Sequence, residues 1–458
     1  MARMSVVSAL RAAAPRCAGT QQRLFSHTAV TRKSHHVVTF TETSSTELDS
    51  LLNTLREQRI LPMYLSPEER KKIYRERNYQ KLKNDPPTVT IDGEVHKFYY
   101  TDKHKDLVEV RRTAIQAIRL MKTDEDWANL SRLLTGLHHK AKIHWWRPGR
   151  GDFPKLARQA GTQDRIFTII ECARQVDSTG FKLDDPELIA QIMYWVQWKA
   201  FAGFAAPSFE EAAAKAASGK AWPDVNITRK ALLWADMVVD MLQLDAHQPS
   251  VPRDEQLAAR RAKQLEYSKR IGDPNSVVAQ PEQPAEQPAE QPAEQPEEQP
   301  AEQPEEQPKG FALRDDPMWI LPQLHLAAAL VVKHKLPEEE ADGLRKRVTQ
   351  LSNTLVKRWP AGRGLSSLPL AKDAHELRFS FLKYPNSIIR EGALALSALD
   401  LAMGVVEPEL AAELKSRRDA TSDEVDNALS QPADKQHTGR LVHDILHGTH
   451  HVLPTSKT

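Results

Sequence analysis

Apolar residues recur three and four positions apart along most of the chain, which is the periodicity of an amphipathic helix. Two clear stripes run from Leu107 to Met121 and from Trp127 to Leu137. Further segments of the same kind cover residues 166–173, 188–196, 232–244, 257–271, 319–332, 344–359, 388–403 and 409–415. The connections are short and polar, as between antiparallel helical neighbours. The pattern therefore predicts an all-α fold, an irregular antiparallel array of helical hairpins.

The N-terminal part contains a cationic helix followed by a pattern that indicates β structure. A strong helix start stands at Ser66, where a serine able to cap the helix is followed by proline and two glutamates. The helix is predicted to continue to about Lys83 and carries seven cations against three glutamates. Beyond it, residues 88–91 and 94–99 flank Asp92-Gly93, which is typical of a two-residue hairpin turn. We predict one small β-hairpin here.

Charge and composition divide the chain into unlike segments. The total is 63 Lys plus Arg against 61 Asp plus Glu, a formal charge of +2. Residues 1–33 hold six cations, no acidic residue and many Ala and Ser, as in a mitochondrial transit peptide, and Arg23-Leu24-Phe25-Ser26 resembles a matrix-processing site. Residues 280–308 repeat Glu-Gln-Pro with nine glutamates and no cation, which predicts a disordered spacer. The predicted organisation is a transit peptide at 1–33, a helical-array domain at 34–279, a linker at 280–309 and a smaller helical domain with a polar tail at 310–458. This pattern leaves open whether the two helical domains touch.

The densest cationic stretch lies between Leu130 and Ala160, with seven Lys and Arg residues against one Asp. The pair Trp145-Trp146 falls in its centre, which proline and glycine mark as a loop. Cations neutralise phosphates and exposed aromatic rings stack on unpaired bases, so the stretch is a candidate RNA-binding segment. Tryptophans anchored in the core beside a solvated cationic face would give the same pattern. The candidate RNA-binding residues are Arg132, Lys140, Lys142, Trp145, Trp146, Arg147, Arg150, Lys155 and Arg158, with Lys71, Lys72 and Arg75 of the helix after Ser66 as a second group.

The sequence gives little support for catalysis or for a cofactor or metal site. It contains no phosphate loop, no dinucleotide-binding glycine motif and no nucleophile elbow. Cys172 lies on an apolar helical face, which favours a buried, inert thiol. His443 and His447, four residues apart, could share a metal ion on one helix face, but we interpret them as part of a polar terminal helix. We expect no enzymatic activity, no cofactor, no metal site and no transmembrane segment.

One joint between two helical segments resembles a known family. Gly180-Phe181-Lys182-Leu183-Asp184-Asp185-Pro186 would end one helix at glycine, pack an apolar residue under the turn and start the next helix at Asp-Pro. Residues 164–196 therefore resemble the joint of pentatricopeptide-repeat proteins. No period of about 35 residues persists along the chain, so no base-reading residue is carried over from that family. The resemblance implies a degenerate helical-hairpin array, of a kind common among organellar RNA-associated proteins.

These observations lead to a hypothesis for function. We expect an RNA-associated scaffold of mitochondrial gene expression in the matrix, either a subunit of the mitochondrial ribosome or a factor bound to it. Its expected partners are mitochondrial ribosomal proteins and ribosomal RNA or mitochondrial mRNA. The alternatives are a factor for mitochondrial mRNA maturation or translation, and a matrix assembly factor for a respiratory complex that acts by protein binding only.

Deletion of residues 280–308 tests the spacer interpretation. Because this segment offers no large apolar side chain to bury, we expect the deletion to leave the thermal midpoint of the full chain within about 2 °C of the wild-type value. Differential scanning calorimetry of both proteins measures the shift. A larger loss would show that the segment contributes to the folded structure.

Overall fold

The computed structural model describes residues 38–91, 94–103, 105–141, 152–202, 222–248, 262, 316–369, 382, 384–432 and 437–447. The predicted transit peptide, the linker and most of the 257–271 segment lie outside these residues. Within them the helices are α1 (Thr46–Leu55), α2 (Pro67–Ile73), α3 (Tyr79–Asn84), α4 (Val110–Leu120), α5 (Asp124–Thr135), α6 (Asp152–Thr162), α7 (Ile166–Arg174), α8 (Val176–Thr179), α9 (Pro186–Ala202), α10 (Val225–Leu242), α11 (Ile320–Lys333), α12 (Glu338–Arg358), α13 (Pro385–Met403), α14 (Pro408–Leu429) and α15 (His437–His447). The strands are β1 (Thr88–Ile91) and β2 (Glu94–Lys97). The predicted all-α class with one small hairpin is confirmed.

The hairpin belongs to a small module near the N-terminus. Strands β1 and β2 pair antiparallel, with Thr88 opposite Lys97 and Ile91 opposite Glu94. A separate hydrophobic cluster holds the hairpin against α2 and α3 through the buried side chains of Leu61, Leu65, Ile73, Leu82 and Phe98. We call residues 61–103 the N-terminal module.

The predicted continuous helix from Ser66 to Lys83 is wrong, because the helix breaks after Ile73. Arg75 is extended, with φ −109° and ψ 117°, and a short 3-10 turn precedes α3. The backbone carbonyls that a continuing helix would use are occupied: Thr101 N donates to Ile73 O at 3.0 Å, and the Asn78 side chain donates to Lys72 O at 3.0 Å. Only a thin apolar stripe favours continuation, and these bonds outweigh it.

Helix α9 is the centre of the main core. It is buried on nearly every side, including the side chains of Trp195 and Trp198, as expected for a helix that is apolar all round. Helix α6 crosses it at Gly161, where an added Cβ would lie 2.1 Å from the Trp195 ring. The joint before α9 matches its prediction, because Gly180 is left-handed with φ 67° and the Phe181 side chain is fully buried under the turn.

Helices on the two sides of the linker pack together in one hydrophobic core. Helix α11 contacts α9 and α10 from before the linker, and α12 and α13 from after it. A polar seam follows the same boundary: Arg229 makes two hydrogen bonds to Glu340 at 2.8 and 2.7 Å, and Asp236 accepts from Gln323 at 2.8 Å and from Arg347.

His325 of α11 joins three helices at the centre of this core. Its ring is fully buried, Nδ1 donates to Gln197 Oε1 of α9 at 2.8 Å, and Nε2 accepts from the Ser397 hydroxyl of α13 at 2.9 Å. Burial lowers the pKa of His325 to about 3, and the neighbouring His447 lowers it in the same direction. The ring is therefore neutral in the folded protein.

Helix α13 organises the C-terminal part. It packs against α11, α14 and α15, and α14 runs to Leu429, well beyond the predicted end at 415. The buried Arg417 of α14 donates to the carbonyls of Val356 and Trp359 at 3.0 and 2.6 Å. The guanidinium group satisfies the last carbonyls of α12 and so fixes how α12 and α14 meet. The negative end of the α12 dipole also stabilises its positive charge.

The chain before α1 is attached to α5 by a buried carboxylate. Asp126 accepts hydrogen bonds from Ser44 N and Ser44 Oγ, both at 2.8 Å, and from the backbone of Lys122 and Thr123 at 2.9 Å. Burial alone would raise the pKa of this carboxyl, but the hydrogen bonds outweigh burial and hold the pKa well below its usual range. Asp126 is thus an ionised anchor for Ser44, just before α1.

Replacing His325 with leucine is expected to lower the free energy of unfolding by about 2 to 4 kcal/mol, because two buried polar partners lose their hydrogen bonds. Urea denaturation of the full chain at neutral pH measures the change. The exposed Lys333→Ala on the same helix is the control and should stay within about 0.5 kcal/mol of wild type. A loss below about 1 kcal/mol for His325→Leu would contradict the stabilising role of the His325 hydrogen bonds.

His325 also predicts a pH dependence. In the folded state it stays neutral down to its pKa of about 3, whereas in the unfolded state it protonates below 6.5. The unfolded state therefore binds more protons in this window, and stability is lost as the pH falls through it, by up to about 1.4 kcal/mol per pH unit. His325→Gln cannot titrate, so its plot of unfolding free energy against pH should be shallower by about that amount between pH ~6 and ~4. Urea denaturation at each pH measures the free energy. Parallel plots of unfolding free energy against pH for the two proteins would contradict the assignment of this pH dependence to His325.

Candidate RNA-contacting surface

Helix α2 presents cations on a short, firmly capped segment. Ser66 and Glu69 form a reciprocal capping box, with Ser66 Oγ accepting from Glu69 N at 3.2 Å. Hydrogen bonds from Ser66 lower the pKa of Glu69, which keeps it charged at the positive end of the helix. Ile73 points into the module core, so Lys71 and Lys72 on the other side face solvent. Neither lysine forms an ion pair with any described residue.

The break after α2 enlarges this cationic surface. Arg75 stands in the extended link, exposed and without an ion pair in the described part of the chain. Five further cations of the N-terminal module are also exposed, and they are Arg77, Lys81, Lys83, Lys97 and Lys103. Sequence reasoning did not single these out as site residues, although three of them lie in the cationic helix that it predicted.

Two exposed aromatic rings lie in the same module, and the sequence analysis missed both. Tyr79 and Tyr99 are 47% and 56% exposed, whereas tyrosine side chains are commonly partly buried. The ring of Tyr79 lies edge-on to that of Tyr100, with centroids 5.6 Å apart. Burial raises the pKa of Tyr100, as do the nearby Asp102, Glu76 and Asp106. The surroundings of Tyr100 are therefore acidic, in contrast to α2.

The second group of candidate residues is only partly described. Lys155 and Arg158 lie exposed on α6, and Arg132 lies exposed at the end of α5 with Nη1 donating to Thr39 O at 3.3 Å. Lys140 lies in a π-helical turn, Gly136–Lys140, that follows α5. The candidates Lys142, Trp145, Trp146, Arg147 and Arg150 lie outside the described residues.

Helix α6 is held in position by its one acidic residue. Asp152 accepts two hydrogen bonds from Arg111 of α4, at 2.8 and 2.6 Å, and the Gln159 side chain donates to Ile118 O at 2.7 Å. The hydrogen bonds and charge of Asp152 raise the pKa of Arg111. Because Asp152 is paired with α4, it does not neutralise Lys155 or Arg158 on its own helix.

The cysteine and histidine residues considered for other chemistry lie in surroundings typical of structural residues. Cys172 is fully buried, and burial raises the pKa of its thiol, in agreement with the predicted inert role. The rings of His443 and His447 lie 5.0 Å apart on α15, where His447 Nε2 donates to Ala393 O of α13 at 3.1 Å. In the described part of the chain no three His, Cys, Asp or Glu residues form a group that could hold a metal ion. No helix there is long and apolar enough to cross a membrane.

The fold and surface are those of an all-α scaffold protein whose short helices present solvent-facing cations. Residues 23–445 match the family of mitochondrial ribosomal protein mS27. Because this match spans most of the chain, the chain belongs to that family. It is therefore a structural protein of the mitochondrial ribosome, in the mitochondrial matrix, and not an enzyme.

A curated relative extends this similarity. The chain is 26% identical over 444 residues to the small ribosomal subunit protein mS27 of Neurospora crassa, and the alignment covers 93% of each chain. The expectation of a protein associated with the mitochondrial ribosome is confirmed. The comparison identifies a ribosomal protein family and not the pentatricopeptide-repeat family.

Proposed function

We propose that the chain is a subunit of the small subunit of the mitochondrial ribosome that contacts ribosomal RNA through two cationic surfaces. The first consists of Lys71, Lys72 and Arg75 in the N-terminal module. The second consists of Arg132, Lys140, Lys142, Trp145, Trp146, Arg147, Arg150, Lys155 and Arg158. The name of the Neurospora crassa relative supports the choice of subunit.

The observation that carries the proposal is the different use of cations inside and outside the core. Buried arginines are paired, as Arg390 with Glu391 and Arg417 with Glu413. In the described residues, Lys71, Lys72 and Arg75 are exposed and have no such partner. Exposed, unpaired cations are free to replace the counterions of a phosphate backbone, and release of these counterions drives binding.

The helical hairpins supply the rigid support for these surfaces. We propose that residues 164–196 are built like a pentatricopeptide-repeat joint, which is supported by the left-handed Gly180 and the start of α9 at Pro186. In this proposal the hairpins contact neighbouring ribosomal proteins through helix faces, and RNA contact is left to the cationic segments.

Changing Lys71, Lys72 and Arg75 together to alanine tests the first surface. We expect weaker binding of the full chain to ribosomal RNA and a plot of log affinity against log salt whose slope is smaller by about 2 to 3, because three phosphate contacts are lost. Filter binding over a range of KCl concentrations measures both quantities.

A matched control removes three exposed cations from another region, as Lys346, Lys357 and Lys415 to alanine. The control should keep the wild-type slope. An equal loss of slope in both variants would indicate a general charge effect and would contradict a specific surface on the N-terminal module.

Changing Lys140, Lys142, Arg147 and Arg150 together to alanine tests the second surface, with ultraviolet crosslinking of mitochondrial ribosomes to RNA as the readout. We expect a reduced crosslink yield, while an unchanged yield would show that this segment does not contact RNA.

Sedimentation tests whether the chain belongs to the small subunit: the chain should travel with the small subunit after the two ribosomal subunits are separated. If it remained at the top of the gradient, the proposed assignment would be abandoned.

A further inference from the structure

A polar pocket of about 170 Å³ opens where α6, α9 and the start of α13 meet. Its walls include Arg158 of α6, Gln191 of α9, and Tyr384 and Arg390 at the start of α13. At about 30 Å³ for each water molecule, the pocket has room for five or six waters or for one planar ring system. Arg158 also belongs to the second cationic surface.

Gln191 gives the pocket an unsatisfied buried amide. Its side chain is only 3% exposed, and among the described residues the amide makes no hydrogen bond. Its Oε1 in particular is enclosed and has no partner. Buried amides in folded proteins are nearly always paired, because an unpaired one has lost its bonds to water without replacement. Because Gln191 lines the pocket, a ligand that enters it can supply the missing partners when the amide turns towards it.

Arg390 forms a fixed wall of the same pocket. Its Nε and Nη2 donate to Glu391 Oε1 at 2.9 and 2.7 Å, and its guanidinium group lies 4.7 Å from the centroid of the Tyr194 ring. Nη1 takes part in none of the described hydrogen bonds. The guanidinium group is therefore held in one orientation and keeps a donor for a ligand.

Arg158 and Tyr384 complete the pocket on its solvent side. Arg158 is exposed and forms no ion pair with the described residues. The ring of Tyr384 is 55% exposed, one of the most exposed large side chains among the described residues. An exposed aromatic ring beside a free guanidinium group is a surface on which a nucleobase can stack.

The polar groups of the pocket distinguish between classes of ligand. The Gln191 amide needs a donor and an acceptor side by side, which the edge of a nucleobase offers and a phosphate group does not. Glu391 already balances the charge of Arg390, so the pocket also suits a neutral ring better than a dianion. A peptide group of a neighbouring protein could pair with the amide, but it would not use the Arg158 guanidinium group or the exposed face of the Tyr384 ring.

We propose that this pocket binds one unpaired purine of ribosomal RNA. The Gln191 amide pairs with the edge of the base, Arg158 and Arg390 donate to its ring nitrogen or carbonyl acceptors, and Tyr384 stacks on its face. This inference rests on the proposed contact between the chain and ribosomal RNA. It adds a base-recognising site to surfaces that otherwise contact only phosphates.

The test uses mitochondrial ribosomes that contain the full chain. Ultraviolet crosslinking and mass spectrometry should yield a purine adduct on the peptide that contains Tyr384, and sequencing identifies the nucleotide. In ribosomes that carry Gln191→Met, that purine should become about fivefold or more reactive towards dimethyl sulfate if it is adenine, or kethoxal if it is guanine. Arg158→Gln, which changes an exposed side chain and leaves the core intact, should raise the reactivity in the same direction. Lys346→Gln on α12, an exposed cation that belongs to neither cationic surface, is the control and should leave it unchanged.

The crosslinking test distinguishes failure of the pocket proposal from failure of the proposed function. If the chain crosslinks to RNA through the N-terminal module but not through the Tyr384 peptide, the pocket proposal is overturned and the proposed function stands. If no peptide of the chain crosslinks to RNA, both fail. A crosslink from the Tyr384 peptide to another protein that resists ribonuclease would assign the pocket to a protein partner and overturn the purine site.

Discussion

The buried hydrogen bonds of His325 are the interaction on which the rest of the structure depends. They join α9, which precedes residues 280–308 in the chain, to α11 and α13, which follow them. The ring must be neutral to donate at Nδ1 and accept at Nε2, and burial keeps it neutral by lowering its pKa to about 3. Helices α9 and α13 also form walls of the pocket at Gln191 and Arg390, so the same junction helps to position these two walls.

Cations have different roles in the interior and on the exposed surface of the protein. Arginine serves inside and at the seam, where a planar group can make several fixed hydrogen bonds, as Arg417 does to Val356 and Trp359 and Arg229 does to Glu340. Lysines dominate the exposed surface of α2, where a mobile point charge suits a phosphate backbone and needs no fixed geometry. The near-zero total charge hides this division of roles.

Sequence reasoning succeeded where local pattern decided the outcome. The helical stripes, the hairpin and the joint at Gly180 depend on residues close together in the chain, and each was predicted. It failed for the helix after Ser66, because the bond from Thr101 to Ile73 that accompanies the break comes from 28 positions further along the chain. The end of α14 was also missed, because the apolar stripe beyond residue 415 is too thin to stand out.

The sequence by itself determined the class of fold, the candidate cations and the mitochondrial context, because periodicity, charge and composition are local properties. Only the tertiary structure decided that helices on both sides of the linker share a core, that Asp152 pairs with Arg111, and that the amide of Gln191 lies unpaired beside Arg390. These features arise from contacts between residues tens to hundreds of positions apart. Glutamine and arginine carry no signal in the sequence that tells which of them will be buried together, because that depends on how whole helices pack.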